Sequence, residues 1–111
     1  MAELDPVIHP IVRLKICAVL AAAGATQGEV NKEMRFSHLK KTLGVSDATL
    51  SKQLGYLEKA GYVTRQREWG STRAKDQVWV TLTASGLQAF EGHRAALREI
   101  AGLEGSEPAQ P

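Results

Sequence analysis

A mainly α fold with a small β-sheet is what this 111-residue chain predicts. Three observations lead there. Four stretches read as helices. Apolar–polar alternation replaces the helical period over 62–67 and again over 77–82. Glycines and good N-cap residues punctuate the joins between them. The length suits one domain, residues 1–103, and a tail, 104–111, that has two prolines, no core-forming residue and an expected lack of order.

In chain order, residues 1–9 read as an irregular lead-in punctuated by Pro6 and Pro10. Pro10 suits the first position of a helix over 10–23, where its missing N–H costs nothing. Ile16, Cys17 and Leu20 fall on one face of that helix, Arg13 and Lys15 are its only charges, and Gly24 stops it. A polar loop over 25–32 leads to a very short strand at 34–36. Ser37 is the expected N-cap of a two-turn helix, 38–43, which Gly44 ends. Ser46 is the expected cap of a longer helix, 47–60, with Asp47 in the first turn, where the helix dipole favours an anion. Leu50, Leu54 and Leu57 form its apolar stripe, and Gly61 closes it. The strands 62–67 and 77–82 enclose a hairpin loop too long for a tight turn. Thr83 then caps a last helix, 84–103, whose stripe of Leu87, Phe90, Leu97 and Ile100 has the spacing of a helix–helix seam.

Composition excludes several classes. The lone Cys17 permits neither an internal disulfide nor a multi-cysteine zinc site. The N-terminus is acidic where a secretion signal is basic, and the longest apolar run, Ile16 to Ala23, is eight residues. A bilayer span needs ~20, so no membrane partner and a cytoplasmic location are expected. No Gly-rich phosphate loop, His-Glu-x-x-His or Gly-x-Ser-x-Gly occurs, so the chain reads as non-catalytic, with no cofactor. Charge is the informative feature. Residues 35–75 hold nine Lys and Arg against three acids, +6, while the flanks hold five against nine, −4. A basic middle between acidic ends is the footprint of a nucleic-acid face, although charge runs are also commonly just solvated surface.

The three residues Gly44-Val45-Ser46 join a short helix to a longer one, and a hairpin follows. That is the helix-turn-helix layout, in which the second helix enters the DNA major groove, and the hairpin supplies a wing. The run Phe36-Ser37-His38-Leu39-Lys40-Lys41-Thr42-Leu43-Gly44-Val45-Ser46-Asp47-Ala48-Thr49-Leu50-Ser51-Lys52-Gln53-Leu54, continuing to Leu57-Glu58-Lys59-Ala60-Gly61-Tyr62-Val63, resembles prokaryotic winged helix-turn-helix regulators of the MarR-like and ArsR-like kinds. His9-Pro10 through Arg13-Leu14 and Ile16 resembles the start of their short single-domain relatives. The wing exit, Trp79 to Gly86, matches a hydrophobic–x–Leu–Thr–x–x–Gly pattern. The resemblance spans about residues 9–103. The wing departs from the MarR pattern of an Asp and an Arg shortly before the Leu-Thr. The implied function is that of a regulator, a repressor more than an activator, bound to double-stranded DNA and nucleoid-associated when so bound.

Candidate DNA-contacting residues follow from chemistry as well. With the three leucines inward, the recognition helix presents Ala48, Thr49, Ser51, Lys52, Gln53 and Tyr56, beside the cap Ser46. Small and hydroxyl residues approach base edges and phosphates closely, Gln53 can bond adenine bidentately, and Lys52 suits guanine or a phosphate. On the preceding helix, His38, Lys40 and Lys41 fit phosphate contact or a solvated face equally, and Ser37 and Lys40 join the candidate interface. In the wing, Arg65 and Arg67 share a strand face, and Arg73 and Lys75 sit beside a Gly-Ser tip, where an arginine can enter a minor groove, although exposed hairpins also carry charge for solubility. Trp69 packs under the wing or stacks outward.

A homodimer is expected through the terminal helices, with Ile11, Leu14, Leu87, Phe90, Leu97 and Ile100 in the interface. For sensing, Cys17 reads as a core residue, with a peroxide-sensing thiol as the alternative. His9, His38 and His93 are expected to lie far apart, which argues against a metal site. A small-molecule effector stays open. The rival readings are a winged-helix protein–protein adaptor and a ligand- or redox-sensing regulator.

Overall fold

The computed structural model describes residues 2–28, 31–68 and 77–105, with side chains to 102. The order is α1 (Ile11–Ala22), β1 (Met34–Arg35), α2 (Phe36–Leu43), α3 (Asp47–Lys59), β2 (Val63–Glu68), β3 (Gln77–Leu82) and α4 (Ala84–Gly105). The three strands form one antiparallel sheet in the order β1-β3-β2. β2 and β3 pair in unbroken register from Val63 opposite Leu82 to Glu68 opposite Gln77. The fold is a winged helix-turn-helix, with four helices among the described residues.

One core serves all the elements. Ile16, Cys17 and Leu20 of α1 meet Leu39 of α2, Leu50, Leu54 and Leu57 of α3, Val80 and Leu82 of β3 and Phe90 of α4. The leucine stripe of α3 is fully buried, which follows from its period. Gly44 has φ +68°, so the turn between α2 and α3 uses a left-handed residue that a side chain would strain. Its N–H donates to the Lys40 carbonyl at 2.9 Å, closing α2. Ser46 caps α3, its Oγ accepting from the Thr49 N–H at 3.1 Å.

Three expectations need correction. Ser37 does not cap α2. The helix starts at Phe36 with Arg35 at the N-cap position and no side-chain cap bond. Pairing of Met34 and Arg35 with β3 fixes where the chain leaves the sheet, and the helix begins at once, leaving Ser37 inside its first turn. At the other end α4 runs to Gly105, past the expected stop at 103, and residues 106–111 lie outside those described. Third, the lead-in is a built part of the fold. Ile8 is fully buried, and Asp5 Oδ1 accepts from the Val7 N–H at 2.8 Å and the Ile8 N–H at 3.3 Å.

The foot of the wing is held by one crossing. The Thr83 N–H donates to the Tyr62 carbonyl at 2.9 Å. Thr83 Oγ1 donates to the Gly61 carbonyl at 2.7 Å and accepts from the Gly86 N–H at 2.9 Å, capping α4. A Cβ on Gly86 would collide with the Tyr62 carbonyl and press on Leu82. This contact is the physical meaning of the Leu–Thr–x–x–Gly pattern. Gly86→Ala is therefore expected to destabilise the protein by about 1–3 kcal/mol through forced backbone displacement. Gly92→Ala, in the same helix with open space around it, is expected to stabilise by up to about 1 kcal/mol through helix propensity. Paired urea denaturation curves check both signs.

Candidate nucleic-acid interface

The side of α3 opposite its leucines carries Ala48, Ser51, Lys52 and Tyr56 exposed, with Thr49 and Gln53 half-buried. Small side chains at the start of the helix leave room for a close approach. Lys52 makes no hydrogen bond or ion pair recorded among the described residues, whereas Ser46 spends its Oγ on the Thr49 amide and hydroxyl. Lys40 Nζ lies 2.8 Å from Asp47 Oδ1, both well exposed, bridging the end of α2 to the start of α3. Ser37 is exposed on the first turn of α2.

Beside α3 lies a groove of about 480 Å³ lined by Phe36, Asp47, Ser51, Arg65, Arg67 and Val78. Its far wall is the wing. Arg65 is turned back onto α3, donating to Glu58 Oε1 at 2.6 Å and to Ser51 Oγ at 2.9 Å. Arg65 and Arg67 both line this groove, as residues sharing a strand face; Arg65 ties the wing to the helix, and Arg67 is exposed. Toward the loop end of the strands, Trp79 Nε1 donates to Glu68 Oε1 at 2.9 Å, and the Arg35 guanidinium sits 5.3 Å from the centre of the Trp79 ring. Trp69, Arg73 and Lys75 lie outside the described residues.

The bracing of α3 by α1 was absent from the sequence reading. Arg13 Nε donates to Gln53 Oε1 at 2.8 Å, its guanidinium lies 4.1 Å from the Tyr56 ring centre, and its Nη1 donates to the Val7 carbonyl at 3.1 Å. An arginine two residues from Lys15 on a largely apolar helix is the one signal the sequence offers.

Asp5 is the second unanticipated centre. Its N–H donates to His93 Nδ1 at 2.8 Å, and its Oδ2 accepts from the Tyr62 hydroxyl at 2.6 Å. The expectation that the histidines lie far apart is overturned for one pair. The rings of His9 and His93 stand edge to face, 5.4 Å between centres, because the lead-in folds back over α4. Among the described residues no three His, Cys, Asp or Glu side chains group as metal ligands. His93 is fully buried, and its Nε2 finds no partner among the described residues.

These environments set the local acid–base behaviour. Burial, then the nearby His9 charge, lowers the His93 pKa from 6.5, against an opposing pull from Asp5. Burial pushes the Cys17 thiol up to about 12, with Asp5 adding to it, so a reactive thiolate is disfavoured. The bond to Asp5 raises Tyr62 to about 12.

Of the expected dimer contacts, Ile11 is 61% and Ile100 41% exposed, and Leu14, Leu87 and Leu97 are half-buried. Phe90, at 4%, is a correction: it packs in the protomer's own core and has little surface left for a partner. No helix among the described residues is long and apolar enough to cross a membrane.

Residues 12–101 match a family model described as a winged helix DNA-binding domain. No curated protein matches the chain in sequence. Solved structures do. A transcriptional regulator homologue from Pyrococcus horikoshii OT3 is 21% identical, with 89% of each chain covered and a TM-score of 0.73. The transcriptional repressor BigR from Xylella fastidiosa is 24% identical over 92% of this chain and 83% of its own, at 0.56. NadR, solved in complex with 4-hydroxyphenylacetate, is 23% identical over 90% and 69%, at 0.59. At these identities the likeness is one of fold. Family and neighbours are DNA-binding and regulatory proteins, not enzymes.

Two outcomes follow from the buried groups. A His93 held below 6.5 binds its proton less readily than in the unfolded chain, so stability is full above that pH and falls as pH drops below it. Urea midpoints at pH 7.5 and 5.5 measure the fall, and His93→Gln, which cannot titrate, is expected to flatten it. Cys17 is expected to resist alkylation in the native protein and to react once unfolded, as counted by mass spectrometry.

Proposed function

The chain belongs to the winged helix DNA-binding domain family, and from that premise we propose that it is a homodimeric transcriptional regulator, a repressor that occupies a pseudo-palindromic double-stranded operator. The observation that carries this reading is the outward side of α3. Its exposed Ala48, Ser51 and Lys52 stand at the N-terminal half of the helix, where major-groove readers contact bases, and a groove to the wing runs alongside. The +6 charge over residues 35–75 supplies the attraction to phosphate.

In this reading α3 enters the major groove, Ser37 and Lys40 of α2 meet the backbone, and Arg67, with Arg73 and Lys75 further along the wing, reaches the flanking groove. Lys40 exchanges Asp47 for a phosphate at little cost, since an exposed ion pair contributes at most about 1 kcal/mol. The dimer forms along α1 and α4, where Ile11 and Ile100 remain exposed, and sets the two α3 helices about 34 Å apart. Occupancy of the operator is itself repression, and a cytoplasmic, nucleoid-bound protein fits this role. Control by a small molecule is a second reading, supported by the likeness to NadR, which was solved with one. A redox role for Cys17 has no such support, given its burial.

Selection from randomised duplex DNA at near-physiological salt is expected to enrich an inverted repeat with half-site centres about 10 base pairs apart. Weak binding with no enriched sequence rejects the proposal in favour of an adaptor role. Lys52→Ala is expected to weaken binding, by about 1–3 kcal/mol at a base edge, or with the salt slope reduced by about one at a phosphate. Unchanged affinity sinks the assigned face. Ile100→Glu is expected to halve the mass seen by light scattering, and an unchanged mass places the interface elsewhere.

A further inference from the structure

The contacts of Arg13 bear on which base the recognition helix selects. An arginine carries five N–H donors and no acceptor, so its Nε–H can bond only the oxygen of the Gln53 amide. That chemistry fixes the orientation of the amide. Oε1 is held toward α1, and the Nε2 hydrogens are directed away from it. Arg13 itself has little freedom to swing. The Tyr56 ring lies against its guanidinium at 4.1 Å, and the Val7 carbonyl takes its Nη1 at 3.1 Å. The pair is part-buried, and 40 residues of sequence separate its members.

A free glutamine recognises adenine with both ends of its amide, the oxygen on N6–H and the nitrogen on N7. Gln53 in this protein has one lone pair of Oε1 on Arg13 and its oxygen turned toward α1, so the Nε2 hydrogens are the part of the amide left to face a base. Those donors suit guanine, whose N7 and O6 are adjacent acceptors. Adenine offers them N7 alone, thymine O4 alone, and cytosine N4 meets them with another donor. We infer that Arg13, on the first helix and outside the helix-turn-helix, is a specificity-determining positioning residue: by holding Oε1 toward α1 it turns the Nε2 donors of Gln53 to the base and selects guanine over adenine. The inference rests on the DNA-reading function proposed above.

The test is the duplex selection repeated with variants whose fold is checked by circular dichroism. Wild-type protein is expected to prefer guanine at one position of each half-site, the position that Gln53→Ala flattens. Arg13→Met keeps an apolar stem over Tyr56 and removes the donor. It is expected to shift that position alone toward adenine by about tenfold, the scale of one bidentate base contact. A merely structural role for Arg13 would weaken every position together. Gln53→Glu needs no free space and keeps the bond to Arg13. It presents an acceptor and is expected to shift the same position to cytosine, so it tests the geometry even if Arg13→Met does not fold.

An enriched operator that stays unchanged in Arg13→Met or in Gln53→Glu overturns the inference and leaves the regulator reading intact. A wild-type preference for adenine at the Gln53 position does the same. Failure of the wild type to enrich any sequence overturns both.

Discussion

The wing, the recognition helix and the last helix meet where Gly86 packs against the Tyr62 backbone, and the rest of the arrangement depends on that contact. At one backbone thickness there is no room for a side chain, so α4 leaves β3 in a single direction. Thr83 fastens the same spot from both sides, to Gly61 and Tyr62 before the wing and to Gly86 after it. The hairpin is therefore anchored at the C-terminal end of α3, and Arg65 anchors it a second time along the helix through Glu58 and Ser51. Two fastenings on one helix make the wing and α3 a unit with a defined groove between them.

The basic side chains do two kinds of work. Arg65 and Arg13 are spent inside the protein, bracing α3 from the wing side and from the α1 side. Lys52 and Arg67 stand on the surface, and Lys40 is held only by an exposed carboxylate. A net charge read from sequence counts all of these alike. The long-range attraction to a polyanion depends on the sum, while the fit depends on which cations are fixed and which can change partner.

Much of this architecture could be read from local signals. The buried leucines of α3, its Ser46 cap, the left-handed Gly44 and the register of β2 with β3 are encoded within a few residues of where they act. The failures share a cause. The Asp5–His93 and Arg13–Gln53 bonds join residues 88 and 40 positions apart and leave no periodic trace. Ser37 lies inside the first turn of α2 because pairing of Arg35 with Trp79, across the sheet, outweighs a local capping preference. The wing tip, with Trp69, Arg73 and Lys75, lies outside the described residues, so only the root of that contact surface can be compared.

Asp5 also bears on the order in which the molecule can be completed during synthesis. It leaves the ribosome 57 residues ahead of its hydroxyl partner Tyr62 and 88 residues ahead of its imidazole partner His93. Until His93 emerges, the burial of Ile8 and the seat of the first helix are unfinished, although α2, α3 and the wing are already made. Contacts of such separation form late, after the entropy of a long loop has been overcome. A nascent chain stalled inside α4 thus carries a nearly complete reading head on an unfastened body. Assembly of the nucleic-acid face and closure of the domain are separate events in the life of each molecule.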